Sequence, residues 1–297
     1  MLNRNTYFFT DLHADRDAFD RSLDMCEDPG ALYLIGGDCL DKGPNNLDLL
    51  TEIKSLSEEV DIKILAGNHD LRMLMVLMNW EQQKESKYER IFTPKRYEKR
   101  ITPFLEECGG IESAKKMFLN PEGEFHWFFD SLNLLHIDNG LLFVHAGVGD
   151  EFVSELRTSD PLIMNHKFHD ALFDSDKLYD LYYGPLGTAF RTKYRDDDYP
   201  FTIFAAKNLF NMGIKCIVHG HDNQTHGHDL EFRHGILHLK CDTTVDKNTR
   251  KQIGLRGEGY SVAIFDEETP FIQCYSSESA IALDLEEYLS TDFSGHL

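Results

Sequence analysis

Apolar residues in this chain come in two rhythms. Short continuous runs (TYFF, ALYLI, DIKIL, GLLFV and KCIV) have the length and β-branched or aromatic content of buried strands. Between them apolar positions recur every three or four residues. RDAFDRSLDMCED carries Phe19, Leu23 and Cys26 at helical spacing, and NNLDLLTEIKSLSEEV carries Leu47, Leu50, Ile53 and Leu56, with Pro44 and Asn45 as start signals. LRMLMVLMNW predicts an apolar buried helix, and FHWFFDSLNLLHID a further one. Strand–helix–strand units of this length imply parallel pairing with right-handed crossovers. Residues 150–210 predict mixed helix and loop. Beyond them HGILHLKCDTT, GYSVAIFD and PFIQCYSS alternate as antiparallel strands do. The expected fold is α/β: one domain over residues 1–297, a two-sheet β-sandwich core flanked by α-helices. Residues 81–100 (EQQKESKYERIFTPKRYEKR) are charged and weakly periodic, and predict a surface helix, insertion or lid.

Charge narrows the partners. The formal net charge is -21, which argues against a nucleic-acid backbone as ligand, because binding phosphate chains requires clustered Lys and Arg. An anionic substrate would need local positive charge, which bound metal ions supply. No run approaches about eighteen apolar residues, so no membrane partner is expected. The start MLNRNTYFFTDLH has no secretory-signal pattern, and the six cysteines show no disulfide-like spacing; both point to a cytoplasmic protein with reduced thiols.

Each of the five short runs empties into polar donors. TYFFTDLHAD delivers Asp11 and His13; ALYLIGGDCLDKG delivers Asp38 and Asp41; DIKILAGNHD delivers Asn68, His69 and Asp70. GLLFVHAG delivers His145, and KCIVHGHD delivers His219 and His221. In α/β sheets, ligands gather beyond the carboxyl ends of the strands. Carboxylate, imidazole and one amide suit Mn, Fe or Zn, and no thiolate is among them. Alternate strand residues face opposite ways, so of His219 and His221 one is expected at the site, and His221 is favoured.

The ordered set TDLHA, GDCLDKG, GNHD, VHAG and HGHD resembles the calcineurin-like metallophosphoesterases, within them the bacterial phosphoprotein-phosphatase branch, whose motifs run GDxHG, GDxVDRG, GNHE, H-G/A-G and a late GH. The resemblance implies two divalent metal ions (Mn, Fe or Zn), one held by Asp11, His13 and bridging Asp38, the other by Asp38, Asn68, His145 and His221. It implies that a metal-bridging hydroxide attacks phosphorus while His69, oriented by Asp41, protonates the leaving group. The implied activity is a dinuclear-metal phosphomonoesterase acting on a phosphorylated protein or peptide (phospho-Ser/Thr or phospho-Tyr) or a small phosphoester. The alternatives are a diadenosine-polyphosphate or other nucleotide hydrolase, and a catalytically weakened metal-binding module.

The chain departs from that pattern at Thr10 and Ala14, where the family has glycines, and at Lys42, where it has arginine. Lysine supplies charge without the planar fork that grips phosphate bidentately. Arg191, in GPLGTAFR, resembles a second phosphate-binding arginine of the bacterial members, so Lys42 and Arg191 are the expected phosphate grips. Asp15 and Asp17 are expected to open the following helix, Cys39 to be a small buried residue, and Asp70 either to hold His69 or to cap its helix. The late HLKCDTT segment also resembles the family, but names no catalytic residue.

Overall fold

The computed structural model describes residues 4–82, 89, 91–92, 94–193, 200–266 and 271–285. The predicted runs form β1 (Thr6–Phe9), β2 (Leu32–Ile35), β3 (Asp61–Leu65), β6 (Leu141–Phe143) and β7 (Cys216–His219). Between β3 and β6 lie the short β4 (Leu132–Asn133) and β5 (His136–Asp138), and after β7 come β8 (Asp229–Arg233), β9 (Ile236–Lys240), β10 (Ser261–Phe265), β11 (Phe271–Ser276) and β12 (Ala280–Asp284). One sheet runs β12-β11-β10-β1-β2-β3-β4 and the other β5-β6-β7-β9-β8. β1, β2, β3 and β4 pair in parallel, and β10 joins antiparallel to β1. β9 departs from the antiparallel expectation on one side: it pairs parallel with β7 and antiparallel with β8.

Strand alternation sorts the core into layers. Phe8, Leu34 and Leu65 of the first sheet share one buried cluster with Phe143, Val218 and Leu239 of the second, the filling between the sheets. Their alternates Tyr7, Phe9, Tyr33 and Ile35 point the other way, into the cluster holding Phe19, Leu49 and Ile53. Those last three belong to α1 (Arg16–Leu23) and α2 (Asn46–Leu56). Each such buried side chain contributes about 1.5–3 kcal/mol of apolar burial. Helices thus flank two face-to-face sheets, as the hydrophobic rhythm predicts.

Helix ends show where local signals suffice and where they do not. Asp15 caps α1, its Oδ1 accepting from Ala18 N–H at 3.1 Å, as expected. The helix stops at Leu23, so Cys26 falls in the turn beyond it. Asn45 makes no side-chain cap for α2. Glu107 does this work from across the molecule, accepting from Asn46 and Leu47 N–H at 3.0 and 2.7 Å. Glu107 ends α4 (Pro94–Glu107), which follows α3 (Asn68–Met78). Part of the 81–100 segment, expected as a surface helix, insertion or lid, lies outside the described residues; Trp80–Gln82 form a 3-10 turn.

After α5 (Ile111–Phe118), the predicted helix over FHWFFDSLNLLHID is only α6 (His126–Asp130). The chain then turns extended: Asn133 C=O accepts from Ala66 N–H at 2.8 Å, and Asn165 Oδ1 takes Leu134 and Leu135 N–H at 2.8 and 3.2 Å. Tertiary partners for the backbone override the local helical pattern there. The described residues of 150–210 include α7 (Asp150–Thr158), α8 (Pro161–Leu172), α9 (Ser175–Tyr183), α10 (Thr188–Arg191) and α11 (Ile203–Asn211), and α12 (Lys247–Ile253) follows β9. None of the described helices is long and apolar enough to cross a membrane. All six cysteines are free thiols.

Candidate metal centre

The loops leaving β1 and β2 run on side by side past the strands. Asp11, His13 and Ala14 N–H donate to the carbonyls of Gly37, Asp38 and Cys39 at 3.1, 2.8 and 2.6 Å. This lays Asp11 and His13 beside Asp38. Asp11, His13, Asp38, Asp41, Lys42 and His221 all adopt left-handed backbone, with φ between 46° and 75°. For non-glycine residues such angles cost of order 1–3 kcal/mol each and persist where neighbours over-determine them. Ala14 does the same, at φ 56°, where the family has glycine. Thr10, the other departure, places its hydroxyl 2.7 Å from Asp11 Oδ2 and so orients that carboxylate.

Close approach of the loops after β3 and β7 depends on glycine. A Cβ on Gly67 would fall on the backbone nitrogen and carboxylate of Asp38, and one on Gly220 would fall on the Asp11 carboxylate. Asp70 joins the second and third loops. Its Oδ2 accepts from Asp38 and Gly67 N–H at 2.8 and 3.1 Å, and its Oδ1 from Leu40 N–H at 3.0 Å. It therefore closes the start of α3, as one expectation had it, and also fastens the Asp38 loop. From the second sheet, His145 Nδ1–H donates to Gly36 C=O at 2.8 Å, leaving Nε2 facing inward, 3.2 Å from Asn68 Oδ1. His221 N–H donates to Asp11 Oδ2 at 2.9 Å, and its ring lies 5.2 Å from that of His145.

Two donor groups result, each with its donor atoms within 4.8 Å of one another: His13, Asp38 and His69, and Asp38, His145 and His221. Asp38 belongs to both. Its Oδ2 lies 3.8 Å from His13 Nε2 and 3.8 Å from His69 Nε2, and its Oδ1 lies 3.5 Å from His145 Nε2. An ion at about 2.0–2.2 Å from each donor fits such separations. Asp11 Oδ1 stands 3.8 Å from His13 Nε2, within reach of the first group. All eight residues predicted as metal donors or as the acid and its partner (Asp11, His13, Asp38, Asp41, Asn68, His69, His145, His221) are thus brought together.

The electrostatics suit cations. Burial, then the charges of Asp242 and Asp38, pushes Asp11 well above the usual carboxylate range; burial and Asp70 do the same to Asp38. Burial, with Lys42 behind it, drives His13 well below its ordinary value, and burial with His145 lowers His221. Every one of these groups pays for being dry and charged, and a divalent ion among them reverses that cost.

His69 Nδ1 donates to Asp41 Oδ2 at 2.7 Å, because an ionised carboxylate only accepts. That leaves His69 Nε2 directed at the donor groups. Lys42 Nζ lies 2.6 Å from His13 Nε2, inside the cluster. Arg191 is placed less directly. Its Nε donates to Tyr182 C=O at 3.0 Å and its guanidinium lies 5.0 Å from the ring centres of both Tyr182 and Tyr183. Tyr182 is buried, and its raised hydroxyl pKa, due first to burial, is opposed by Arg191 and Arg72 and increased by Asp38. His219 belongs to neither donor group, and its ring lies 5.9 Å from that of His238.

Asp242, Tyr182, Arg72 and Lys193 were not read from the sequence. Asp242 lies in the HLKCDTT segment, and its charge reaches both Asp11 and Asp38. Arg72 follows His69 by one helical turn on α3, a spacing that could have flagged it. Tyr182 and the charge of Lys193 on His221 arrive through tertiary folding alone.

Comparison with known proteins gives the family and the fold. A Salmonella paratyphi C protein, "Bis(5'-nucleosyl)-tetraphosphatase, symmetrical", is 30% identical over 146 residues, 48% of this chain and 43% of the relative. The Enterobacter sp. protein of that name is 34% identical over 149 residues, again 48% and 43%. The chain thus matches less than half the length of these relatives. A cold-active protein-tyrosine phosphatase of a psychrophilic Shewanella shares the fold at 14% identity and TM-score 0.66, over 94% of this chain and 80% of its own. The calcineurin-like phosphoesterase family profile matches residues 5–224, so the chain belongs to that family.

Proposed function

We propose that this chain is a dinuclear-metal phosphoesterase, with Asp11, His13 and Asp38 holding one divalent ion and Asp38, Asn68, His145 and His221 the other. The single observation behind this reading is Asp38, whose two oxygens face two separate donor groups. When bound, such an ion pair polarises a phosphoryl oxygen and activates water for in-line attack. The protein's own share is proton handling and grip. His69, steadied by Asp41, holds a proton at Nε2 for the departing oxygen, and Lys42 and Arg191 hold the phosphoryl oxygens. Retention of the His69–Asp41 pair speaks against a weakened metal-binding module. Residues 1–297 are read as one domain.

For the substrate, a dinucleoside polyphosphate comes first. The sequence relatives carry that name, and cations extend past the metal donors: Arg191 and Arg72 act on Tyr182, and Lys193 on His221. A polyphosphate chain could reach such cations as well as the ions, where a single phosphoryl group needs only the ions. A phosphorylated Ser, Thr or Tyr residue is the second reading, in keeping with the Shewanella fold likeness. Turnover of diadenosine tetraphosphate, phosphopeptides and p-nitrophenyl phosphate, with Mn, Fe or Zn supplied in turn, separates them. Preferred turnover of phosphopeptides reverses the order, and no turnover of any ester removes the proposal.

A further inference from the structure

Lys42 and Asp41 sit at φ 69° and 75°, so the loop that carries them is held, not relaxed. Within the loop, Asp41 N–H donates to Asn46 Oδ1 at 2.9 Å and Lys42 N–H to Asp41 Oδ1 at 2.7 Å. The Lys42 carbonyl is held from elsewhere: Asn248 Nδ2 donates to it at 2.6 Å, from 206 residues away on α12. Asn248 is otherwise exposed to solvent.

The helix that presents Asn248 is anchored on three sides. Asp246 caps it, its Oδ1 accepting from Thr249 N–H at 2.8 Å. Lys247 N–H donates to Asp15 Oδ2 at 2.8 Å, so the carboxylate that caps α1 also fixes α12. Arg250 is 2% exposed and spends its guanidinium on the carbonyls of Thr244 and Arg256 and on Glu278 Oε1, at 3.2, 2.7 and 2.6 Å. An exposed amide on so firm a mount acts as a fixed stop against the Lys42 loop.

We propose that Asn248 is a positioning residue: its amide locks the Lys42 carbonyl and so limits where the Lys42 ammonium, 2.6 Å from His13 Nε2 here, can swing to meet a phosphoryl group once that nitrogen holds an ion. The inference rests on the phosphate-gripping role of Lys42 given above. Because Lys42 replaces an arginine that would grip with two parallel bonds, its single flexible ammonium depends more on how its backbone is held. Asn248 acts through Lys42 and touches no substrate.

The test is competitive inhibition by inorganic phosphate, with KM and kcat, in metal-loaded wild type, Asn248→Ala, Asn248→Asp, Lys42→Ala and the double variant Lys42→Ala/Asn248→Ala. Asn248→Asp keeps the shape but replaces the donor by an acceptor and adds a negative charge, so Asn248→Ala carries the comparison. Expected are a rise in phosphate Ki and in KM of about tenfold for Lys42→Ala and about three- to tenfold for both Asn248 variants. Metal content should hold, kcat should change less than KM, and Asn248→Ala should add nothing in the Lys42→Ala background. If Lys42→Ala raises Ki but the Asn248 variants do not, or if the two losses multiply, the positioning role is overturned while Lys42 keeps its grip. If Lys42→Ala leaves Ki unchanged, the grip itself fails and the inference goes with it.

Discussion

Asp70 holds Asp38 by its backbone: Oδ2 accepts the Asp38 N–H at 2.8 Å, so the residue common to both donor groups is fixed by a carboxylate 32 positions later. Asp70 is fully buried and takes Gly67 and Leu40 N–H as well. Asp70→Ala strands these three donors, at about 1–3 kcal/mol each where water cannot reach them. Urea unfolding of the metal-free variant should show a loss of about 3 kcal/mol or more. An unchanged midpoint would mean that other groups satisfy the loop.

His69 stands in two relationships at once, 2.7 Å from Asp41 through Nδ1 and 3.8 Å from Asp38 through Nε2. If it serves as the acid, His69→Asn lowers kcat about 10²–10⁴-fold at full metal content. The loss should be smaller for esters whose leaving oxygen is already acidic, such as p-nitrophenyl phosphate or a polyphosphate, than for an alkyl phosphate. Loss of an ion in the variant, measured by elemental analysis, would make His69 a ligand instead.

Gly67 lets α3 start against Asp38, and an added methyl group has nowhere to go. Gly67→Ala should displace Asp38, costing about 1–3 kcal/mol of stability through overpacking and more than half of the bound metal. Calorimetric metal titration checks this. Wild-type affinity in the variant would show that the loops have slack.

Away from the site, burial drives the His228 imidazole down to about 4, and its Nε2 lies 3.2 Å from Ser261 Oγ. In the unfolded chain it titrates near about 6.5. Above that pH the ring is neutral in both states and costs nothing. Between 6.5 and 4 the unfolded chain binds a proton that the folded one refuses, so stability falls as pH falls, by at most on the order of 3 kcal/mol, and levels off below about 4. His228→Gln should flatten that slope in urea melts; an identical slope would contradict it.

The chain announces its site because strands end where donors begin. TYFF, LYLI, DIKIL, LLF and CIVH each carry two or more buried apolar residues, and the Asp, Asn or His that follows has no use in a core. Lys42 was legible as a departure, but its contact with His13 was not, since nothing local fixes a lysine side chain. Asp242 lay in the HLKCDTT segment whose likeness was legible, though nothing local gave it a role; the influence of its charge on Asp11 and Asp38, like that of Asp38 on Tyr182, comes from the tertiary fold, which no spacing encodes. The helix over Leu132–Asp138 failed likewise, because Asn165 and β3 claim its backbone.

A two-ion centre requires Asp38 to serve both ions. Electron paramagnetic resonance of metal-free protein titrated with Mn(II) tests this most directly, because ions about 3.5–4 Å apart couple magnetically. Two equivalents per chain with a coupled spectrum, reduced to uncoupled or single-ion spectra in Asp38→Asn, is the predicted result. Saturation at one equivalent, or two magnetically independent ions in the wild type, would contradict it.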